Sequence, residues 1–331
     1  MSAFDLYYTL KPFIPWGMRM AMRRWYARRL LPKVREVWPI KPGSEQRPPG
    51  WPGWPDGKKF ALVLTHDVES QKGVDQCPAL RDLERQVGFN SAFYFIPEGP
   101  YQTPERLRRE VEGDGCEVGV HDLHHDGKLY RSFRSFKRRA ERINHYIEAW
   151  GAVGFRSGFM HRNLEWIHQL NLLYDGSTFD TDPFEPQPDG VETIFPFWQK
   201  SKVPGAGENA ADRSGVQGGT GYVELPYTLP QDSTLFLVLR ETGIDVWKKK
   251  VAWIASHGGM VLLNTHPDYM QFGARRAGSR EYPADLYRAF LEWIKETYEG
   301  DYWSALPRDV GHFCVQARSN KPEALSARSQ S

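Results

Sequence analysis

Along this chain, short apolar runs alternate with longer segments in which apolar residues recur every three or four positions. Phe60–Thr65 (FALVLT), Ser91–Ile96 (SAFYFI), Glu117–Val120, Tyr222–Leu225 and Met260–Asn264 (MVLLN) have strand length and are largely apolar, as expected of strands buried on both faces. Between them, Cys77–Val87, Pro104–Glu112, Ser132–Trp150, Leu164–Leu172, Asp245–Ala255 and Ala284–Tyr298 carry helical spacing. Pro104 opens its helix at a position where a missing N–H costs little. Strand–helix alternation over this length predicts a parallel α/β sheet or a barrel. No internal repeat and no glycine-rich phosphate loop is present in the sequence.

The flanks follow another pattern. Residues 6–35 contain no acidic side chain, while Arg19, Arg23, Arg24, Arg28, Arg29, Lys33 and Arg35 accumulate among Met18, Met22, Trp25 and Leu30. This predicts a basic helix from about Gly17 to Leu31, stopped by Pro32. It has two readings: the helix packs its apolar side on the main body, or residues 15–36 rest peripherally on an anionic membrane. Arg19 to Arg29 interrupt any apolar core of a secretory signal. The expected location is therefore cytoplasmic, with the inner membrane face as the peripheral alternative. Lys41–Lys59 reads as a Pro/Gly/Trp linker whose Trp51 and Trp54 pin it to the body. Pro204–Gly221, rich in Gly, Ala and polar residues, reads as a surface insertion, and no periodicity follows Gln316. The expected organisation is a basic helix and linker over 1–58, a catalytic barrel over 59–315 with a surface insertion at 198–221, and a disordered tail over 316–331.

Charge narrows the functional classes. With 43 Lys+Arg against 41 Asp+Glu, the chain is no polycation, so charge alone gives no case for a dedicated nucleic-acid binder and no nucleic acid is expected as partner. Cys77, Cys116 and Cys314 are too few for a disulfide framework and wrongly spaced for a cysteine zinc site. No apolar run approaches the roughly 20 residues of a membrane span.

The chemistry-bearing residues follow predicted strands. Thr65-His66-Asp67-Val68-Glu69 follows the first strand, and His121-Asp122-Leu123-His124-His125-Asp126 follows Glu117–Val120. Arg156 lies in GFRSGF, and His266 in LLNTHPDY after Met260–Asn264. In parallel α/β barrels the carboxyl ends of the strands converge on one rim, which brings such groups together. His121 and His125, four apart, can aim both imidazoles at one point, and Asp67 or Glu69 would complete a His₂–carboxylate site with an open position. That donor set suits Zn²⁺ best, with Co²⁺, Ni²⁺ or Fe²⁺ as alternatives, rather than Ca²⁺ or Mg²⁺. Residues two apart on a strand share a face, so Asp67 and Glu69 can both face the site while Val68 points into packing. One carboxylate would then ligate and the other act as general base, with Arg156 orienting the base and His266 serving as general acid.

Taken together, these clusters resemble the polysaccharide deacetylase superfamily, the NodB-homology domains of carbohydrate esterase family 4. The family motifs T-F-D-D-G, H-[ST]-x-x-H, R-x-P-x, D-x-S-x-x-x-x-D and L-x-x-H are matched in order. The matching segments are Thr65–Glu69, His121–His125, Arg156–Phe159, Asp175–Asp182 and Leu263–His266, within about Phe60 to Tyr298. The resemblance implies a distorted (β/α) barrel of seven strands and metal-dependent hydrolysis of an N- or O-acetyl group on a sugar or glycan precursor. It implies Asp67 as base, His121 and His125 as metal ligands, Arg156 as the arginine that positions the base, and His266 as acid. Asp182 would tune His266, with Asp180 as competitor. Val68 stands where the family's usual metal aspartate does, so Glu69 is expected to take over as ligand, as in a D-x-[DE] form. Gly158 replaces the usual proline of the third motif, Asp122 the small hydroxyl residue of the second, and Pro183 the tryptophan after the fourth. A backbone N–H near Tyr227 (ELPYTLP) is expected to help hold the oxyanion. Phe159, with Phe95, Tyr130, Phe184 and Tyr269, is expected to stack on the sugar. Three rival readings are a metal-dependent amidase for a small non-sugar amide or ureide, a catalytically silent carbohydrate-binding or scaffold relative, and a nucleic-acid or membrane-surface module using the basic N-terminal helix.

Overall fold

The structure is a computed structural model that describes residues 15–202 and 221–319. The strands of the main sheet are β1 (Phe60–Val68), β2 (Ala92–Phe95), β3 (Glu117–His121), β4 (Gly154–Arg156), β5 (Tyr174–Asp175), β6 (Phe197–Lys200), β7 (Gly221–Glu224), β8 (Met260–Thr265) and β9 (Tyr302–Ser304). They form one nine-stranded sheet. Its curved part runs β8-β1-β2-β3-β4-β5-β7, with every neighbouring pair parallel. Just after β7, the amides of Thr228 and Leu229 donate to Leu262 O of β8 at 3.0 and 3.1 Å. The curl is thereby drawn toward closure as a distorted (β/α) barrel of seven strands. β6 extends the sheet antiparallel to β7, and β9 pairs with the start of β1.

Side-chain alternation along the strands separates two packing layers and also positions the chemistry. In β1, Phe60, Leu62, Leu64 and Val68 enter the outer core, whereas Ala61 and Val63 enter the barrel interior. β8 repeats this, with Val261 and Leu263 outside and Met260 and Leu262 inside. In β2, Phe93 and Phe95 face outward while Ala92 and Tyr94 face inward. Continuing the inward rows past the apolar part leads to Thr65 and Asp67 on β1 with Glu69 just beyond its end, and to Asn264 on β8 with His266 just beyond its end.

The outer layer is covered by amphipathic helices. The helices are α1 (Trp16–Val34), α2 (Gln71–Val87), α3 (Glu105–Gly113), α4 (Phe133–Trp150), α5 (Leu164–Ile167), α6 (Asp245–His257), α7 (Asp285–Tyr298) and α8 (Pro307–Ser319). α2 contributes Val74, Cys77, Leu80, Leu83 and Val87 to the outer core, and α7 contributes Tyr287, Phe290, Leu291 and Ile294. α2 starts six residues before its sequence-predicted onset because Ser70 caps it, its side chain accepting from Gly73 N.

Several expectations are revised. Pro32 does not end α1, which runs on to Val34. The proline costs a hydrogen bond close to the helix end, and burial of Met20 and Ala27 against the body offsets it. α1 packs on a π-helical segment, Ser233–Leu239, where Arg24 Nε donates to Leu237 O at 2.9 Å. No helix among the described residues is long and apolar enough to cross a membrane. The predicted helix Leu164–Leu172 shrinks to Leu164–Ile167. Asn144 of α4 takes over the backbone there, accepting from Asn171 N at 2.8 Å and donating to Gln169 O at 2.9 Å. Residues 198–200 are part of β6 rather than of an insertion, and the remaining Pro204–Gly221 reading lies outside the described residues up to Gly221, which opens β7. Residues 316–319 belong to α8, and the rest of the predicted tail lies outside the described residues. The linker tryptophans do anchor: Trp54 Nε1 donates to Gly258 O at 2.9 Å, and Trp51 packs edge-on against Phe195.

Candidate metal and catalytic site

Glu69 leaves the end of β1, His121 ends β3, and His125 follows in the next loop, yet one donor atom from each lies within 4.8 Å of the others. His125 Nε2 is 3.1 Å and His121 Nε2 4.0 Å from Glu69 Oε1. Both Nε2 atoms are buried and make no hydrogen bond of good geometry. His121 Nδ1 lies 3.1 Å from Arg156 O. A carbonyl can only accept, so Nδ1 carries a proton and Nε2 is the nitrogen turned to the cluster, where a bound ion would take its lone pair. Burial alone would raise the Glu69 carboxyl, but His125 and His121 hold it well below the usual carboxylate range. Two orphaned imidazole nitrogens and one ionised carboxylate around a common point fit a divalent transition metal with room for further ligands. The third histidine of the motif turns away: His124 Nδ1 is 3.1 Å from Glu98 O.

The loop that aims the histidines is locally strained. Asp122 has φ 57° and His125 φ 51°, left-handed values uncommon outside glycine. Gly158 makes room for this shape. A Cβ there would lie 2.6 Å from Asp122 Oδ2 and 2.7 Å from His125 Cδ2. Two of the sequence's departures from the family motifs, Asp122 and Gly158, are therefore one packing solution. Asp126 closes the loop through a two-pronged pair with Arg139, both contacts 2.8 Å.

Beside the cluster, Asp67 is buried and held on both oxygens. Arg156 donates to Oδ1 at 3.0 Å, and Asn264 Nδ2 donates to Oδ2 at 2.7 Å. Arg156 is itself fixed. Its guanidinium donates to Thr65 Oγ1, Asn264 Oδ1 and Gly176 O and lies over the Tyr94 ring, 4.6 Å from its centroid. Burial would raise the Asp67 carboxyl, but Arg156, His121 and His266 hold it below the ordinary value. Asp67 is thus ionised and oriented, as a base must be. His66, its neighbour on β1, faces the other way and binds Thr265 Oγ1 and Glu84 Oε1 at 2.7 and 2.8 Å.

His266 Nε2 sits 4.0 Å from Asp67 Oδ2 and 3.9 Å from Glu69 Oε1. Its Nδ1 is bound not by Asp182 but by Asp232, at 2.7 Å from Oδ1, while Asp232 Oδ2 accepts the His266 amide at 2.8 Å. Burial alone would lower the imidazole, but Asp232, with Glu69 and Asp67, pushes it up to about 10. Asp182 instead accepts from Tyr227 Oη at 3.0 Å and from Phe184 N at 3.1 Å. Asp180 pairs with the buried Lys250. The sequence reading missed Asp232 because it stands in a loop just before the π-helical turn, outside every apolar run and motif. Tyr227 is also reassigned: its amide is spent on Thr178 O at 2.9 Å, and its hydroxyl binds Asp182 and Glu185. It is not among the cavity-lining residues and cannot donate that N–H to an oxyanion.

These groups share one cavity of about 600 Å³, lined among others by Asp67, Glu69, His121, His125 and His266. Phe159 lines it and stacks on His125, ring centroids 4.1 Å apart. Phe184 and Tyr269 line it too, whereas Phe95 is buried in the outer core and Tyr130 packs on Phe136.

No protein-family sequence model matches the chain, and no curated protein sequence does. Solved structures do. A Mycobacterium smegmatis structure provisionally described as a polysaccharide deacetylase superposes with a TM-score of 0.54, at 18% identity, over 84% of this chain and 97% of the other. The fold is that of the polysaccharide deacetylases. Further similar structures have lower TM-scores. One is a Bordetella bronchiseptica protein provisionally described as a polysaccharide deacetylase involved in O-antigen biosynthesis (TM-score 0.42, 15% identity, 80% of this chain and 93% of the other). Another is a Bacillus anthracis pseudoenzyme of carbohydrate esterase family 4 (TM-score 0.41, 14% identity, 78% of this chain and 66% of the other). At these identities the likeness speaks to fold alone, and the chemistry has to be argued from the residues described above.

Proposed function

We propose that this protein is a metal-dependent deacetylase that hydrolyses an N- or O-acetyl group on a sugar or glycan precursor. The observation that carries the reading is the juxtaposition, in one cavity, of an orphaned Glu69–His121–His125 donor set with Asp67, held by Arg156 and Asn264, and His266, held by Asp232. Glu69, His121 and His125 would hold the ion, with Zn²⁺ the best match to one carboxylate and two imidazoles. When bound, such an ion supplies Lewis-acid polarisation of the acetyl carbonyl and a more acidic water.

The residues of the chain divide the proton work between them. Asp67 accepts the proton of the attacking water, and the Arg156 and Asn264 contacts keep its oxygens aimed while it does so. His266 Nε2 faces the same space and delivers a proton to the departing amine or alcohol. Asp232 holds the ring through Nδ1, so Nε2 is the only nitrogen that can give its proton into the cavity. The pair fits hydrolysis because base and acid are pushed in opposite directions, Asp67 down and His266 up. The joint presence of Asp67, Glu69, Arg156 and His266 favours catalysis over a silent binding role.

The test is metal analysis of purified protein combined with acetate release from N- and O-acetylated oligosaccharides. Stoichiometric transition metal and acetate release, with turnover lost in Asp67→Asn, are expected. Protein that takes up no transition metal and releases no acetate would refute the assignment.

A further inference from the structure

The cavity has a second wall that the hydrolytic chemistry does not use. α1 presents Trp16, Arg19, Met20, Arg23 and Tyr26 to it. The helix is held there by its packing on Ser233–Leu239 and by the Arg24–Leu237 hydrogen bond. Arg19 and Arg23 are four residues apart, so their guanidinium groups are neighbours on one helix face. Arg19 Nε is buried without a hydrogen-bond partner. Among the described residues neither arginine side chain forms a hydrogen bond or an ion pair within 4.0 Å, although many other cations of the chain do. The other ionised groups facing the cavity are engaged. Asp67 is bound by Arg156, and Glu69 by the histidines. Glu185, the carboxyl whose field reaches Arg23, already accepts from Tyr227 and Gln231, and burial pushes it toward the neutral form. Two neighbouring, unpaired guanidinium groups at the wall of a catalytic cavity are arranged for a forked, doubly charged oxyanion.

We propose that Arg19 and Arg23 form a subsite for a phosphate or diphosphate ester carried by the substrate, so that the acetylated sugar is a phosphorylated precursor rather than a neutral polymer. The inference rests on the deacetylase reading for the identity of the sugar, but anion binding is measurable without turnover. Sugar diphosphates come linked to nucleotides or to lipids. The opposite face of α1 exposes Met18, Met22 and Trp25, spaced four and three apart, which makes the lipid-linked form worth its own arm of the test.

The experiment is equilibrium dialysis of radiolabelled inorganic pyrophosphate against the full-length protein as purified, and again after EDTA treatment. Saturable binding that persists after EDTA and weakens roughly tenfold or more (about 1.4 kcal/mol) in Arg19→Gln/Arg23→Gln is expected. Arg19→Lys/Arg23→Lys, which keeps the charges, should retain most of it, and circular dichroism verifies the fold of both. Bound pyrophosphate should be displaced by UDP-N-acetylglucosamine or by farnesyl-diphosphate-linked N-acetylglucosamine, whichever supplies the matching anion, and not by neutral chitotriose. Binding that is abolished by EDTA and indifferent to the glutamine substitutions would place the anion on the metal and overturn the proposal. Displacement by chitotriose, or by neither diphosphate, would overturn it as well. Absence of acetate release from every acetylated sugar would instead count against the deacetylase assignment and leave the dialysis result to decide the anion site.

Discussion

Replacing Asp232 with asparagine isolates the acid from the rest of the machinery. Asp232 accepts from the His266 ring at 2.7 Å but touches none of the three metal-ligand candidates. Its charge is the main influence that overcomes burial and raises the imidazole from an ordinary 6.5 to about 10, which corresponds to roughly 5 kcal/mol in favour of the protonated ring. With that charge gone, burial prevails and the ring titrates well below its wild-type value. A raised histidine pKa means the proton is present at low pH and lost as pH rises through the folded value. Acetyl hydrolysis that depends on protonated His266 should therefore lose its alkaline limb at lower pH in Asp232→Asn, by more than one pH unit. Between the two limbs, where the variant's ring is neutral and the wild type's still protonated, turnover should fall toward the roughly 10²–10⁴-fold worth of a positioned acid. The assay is acetate release across pH 5–10, with metal content measured in parallel. A bound cation lowers His266 in both proteins and leaves their difference. An alkaline limb that stays in place would refute His266 as the acid.

Other expectations follow from the same geometry. Glu69→Ala should lose bound transition metal while Asp67→Asn keeps it and loses turnover, as read by metal analysis; the reverse outcome would exchange their roles. Gly73→Ala should lower the melting temperature, overpacking outweighing alanine's preference for helix, and weaken metal binding roughly 10–100-fold in a chelator competition. The new Cβ would fall 2.4 Å from Asp268 Oδ2, the atom that accepts the Glu69 amide at 3.0 Å. Glu117 is buried in the barrel interior, where desolvation pushes it up to about 7 although Tyr174 and the Arg308 amide donate to it. Because its folded value lies above the unfolded one, its stabilising effect is complete below about pH 4.5 and lost as pH rises through about 7, a change of about 3 kcal/mol. Urea midpoints at pH 5 and pH 8 should show this fall in wild type and a smaller one in Glu117→Gln.

The strands and the chemical clusters were legible in the sequence because both obey local rules. β1 reads as a buried strand from its apolar run alone, and two-residue alternation then puts Asp67 and Glu69 on one face. Asp232 was not legible because its relation to His266 is purely spatial: the two are 34 residues apart and meet through the path of the chain after β7. Asp182 fell at the expected spacing but is drawn to Tyr227 and the Phe184 amide instead. Leu164–Leu172 failed as a helix for a related reason, since Asn144 on another helix satisfies its backbone. Arg19 and Arg23 stood out in sequence only as part of a basic run. That one face of this run borders the catalytic cavity depends on the docking of α1, which no periodicity encodes.

The two-sidedness of β1 ties the candidate site to correct threading. Deleting a single residue between Phe60 and Leu64 would swap faces along the rest of the strand, sending both carboxylates outward beneath α2 and His66 inward. A chain folded in that slipped alignment could still build a sheet, but it would lack a cation trap. Retention of metal by freshly refolded protein is thus a sensor of strand alignment as well as of activity.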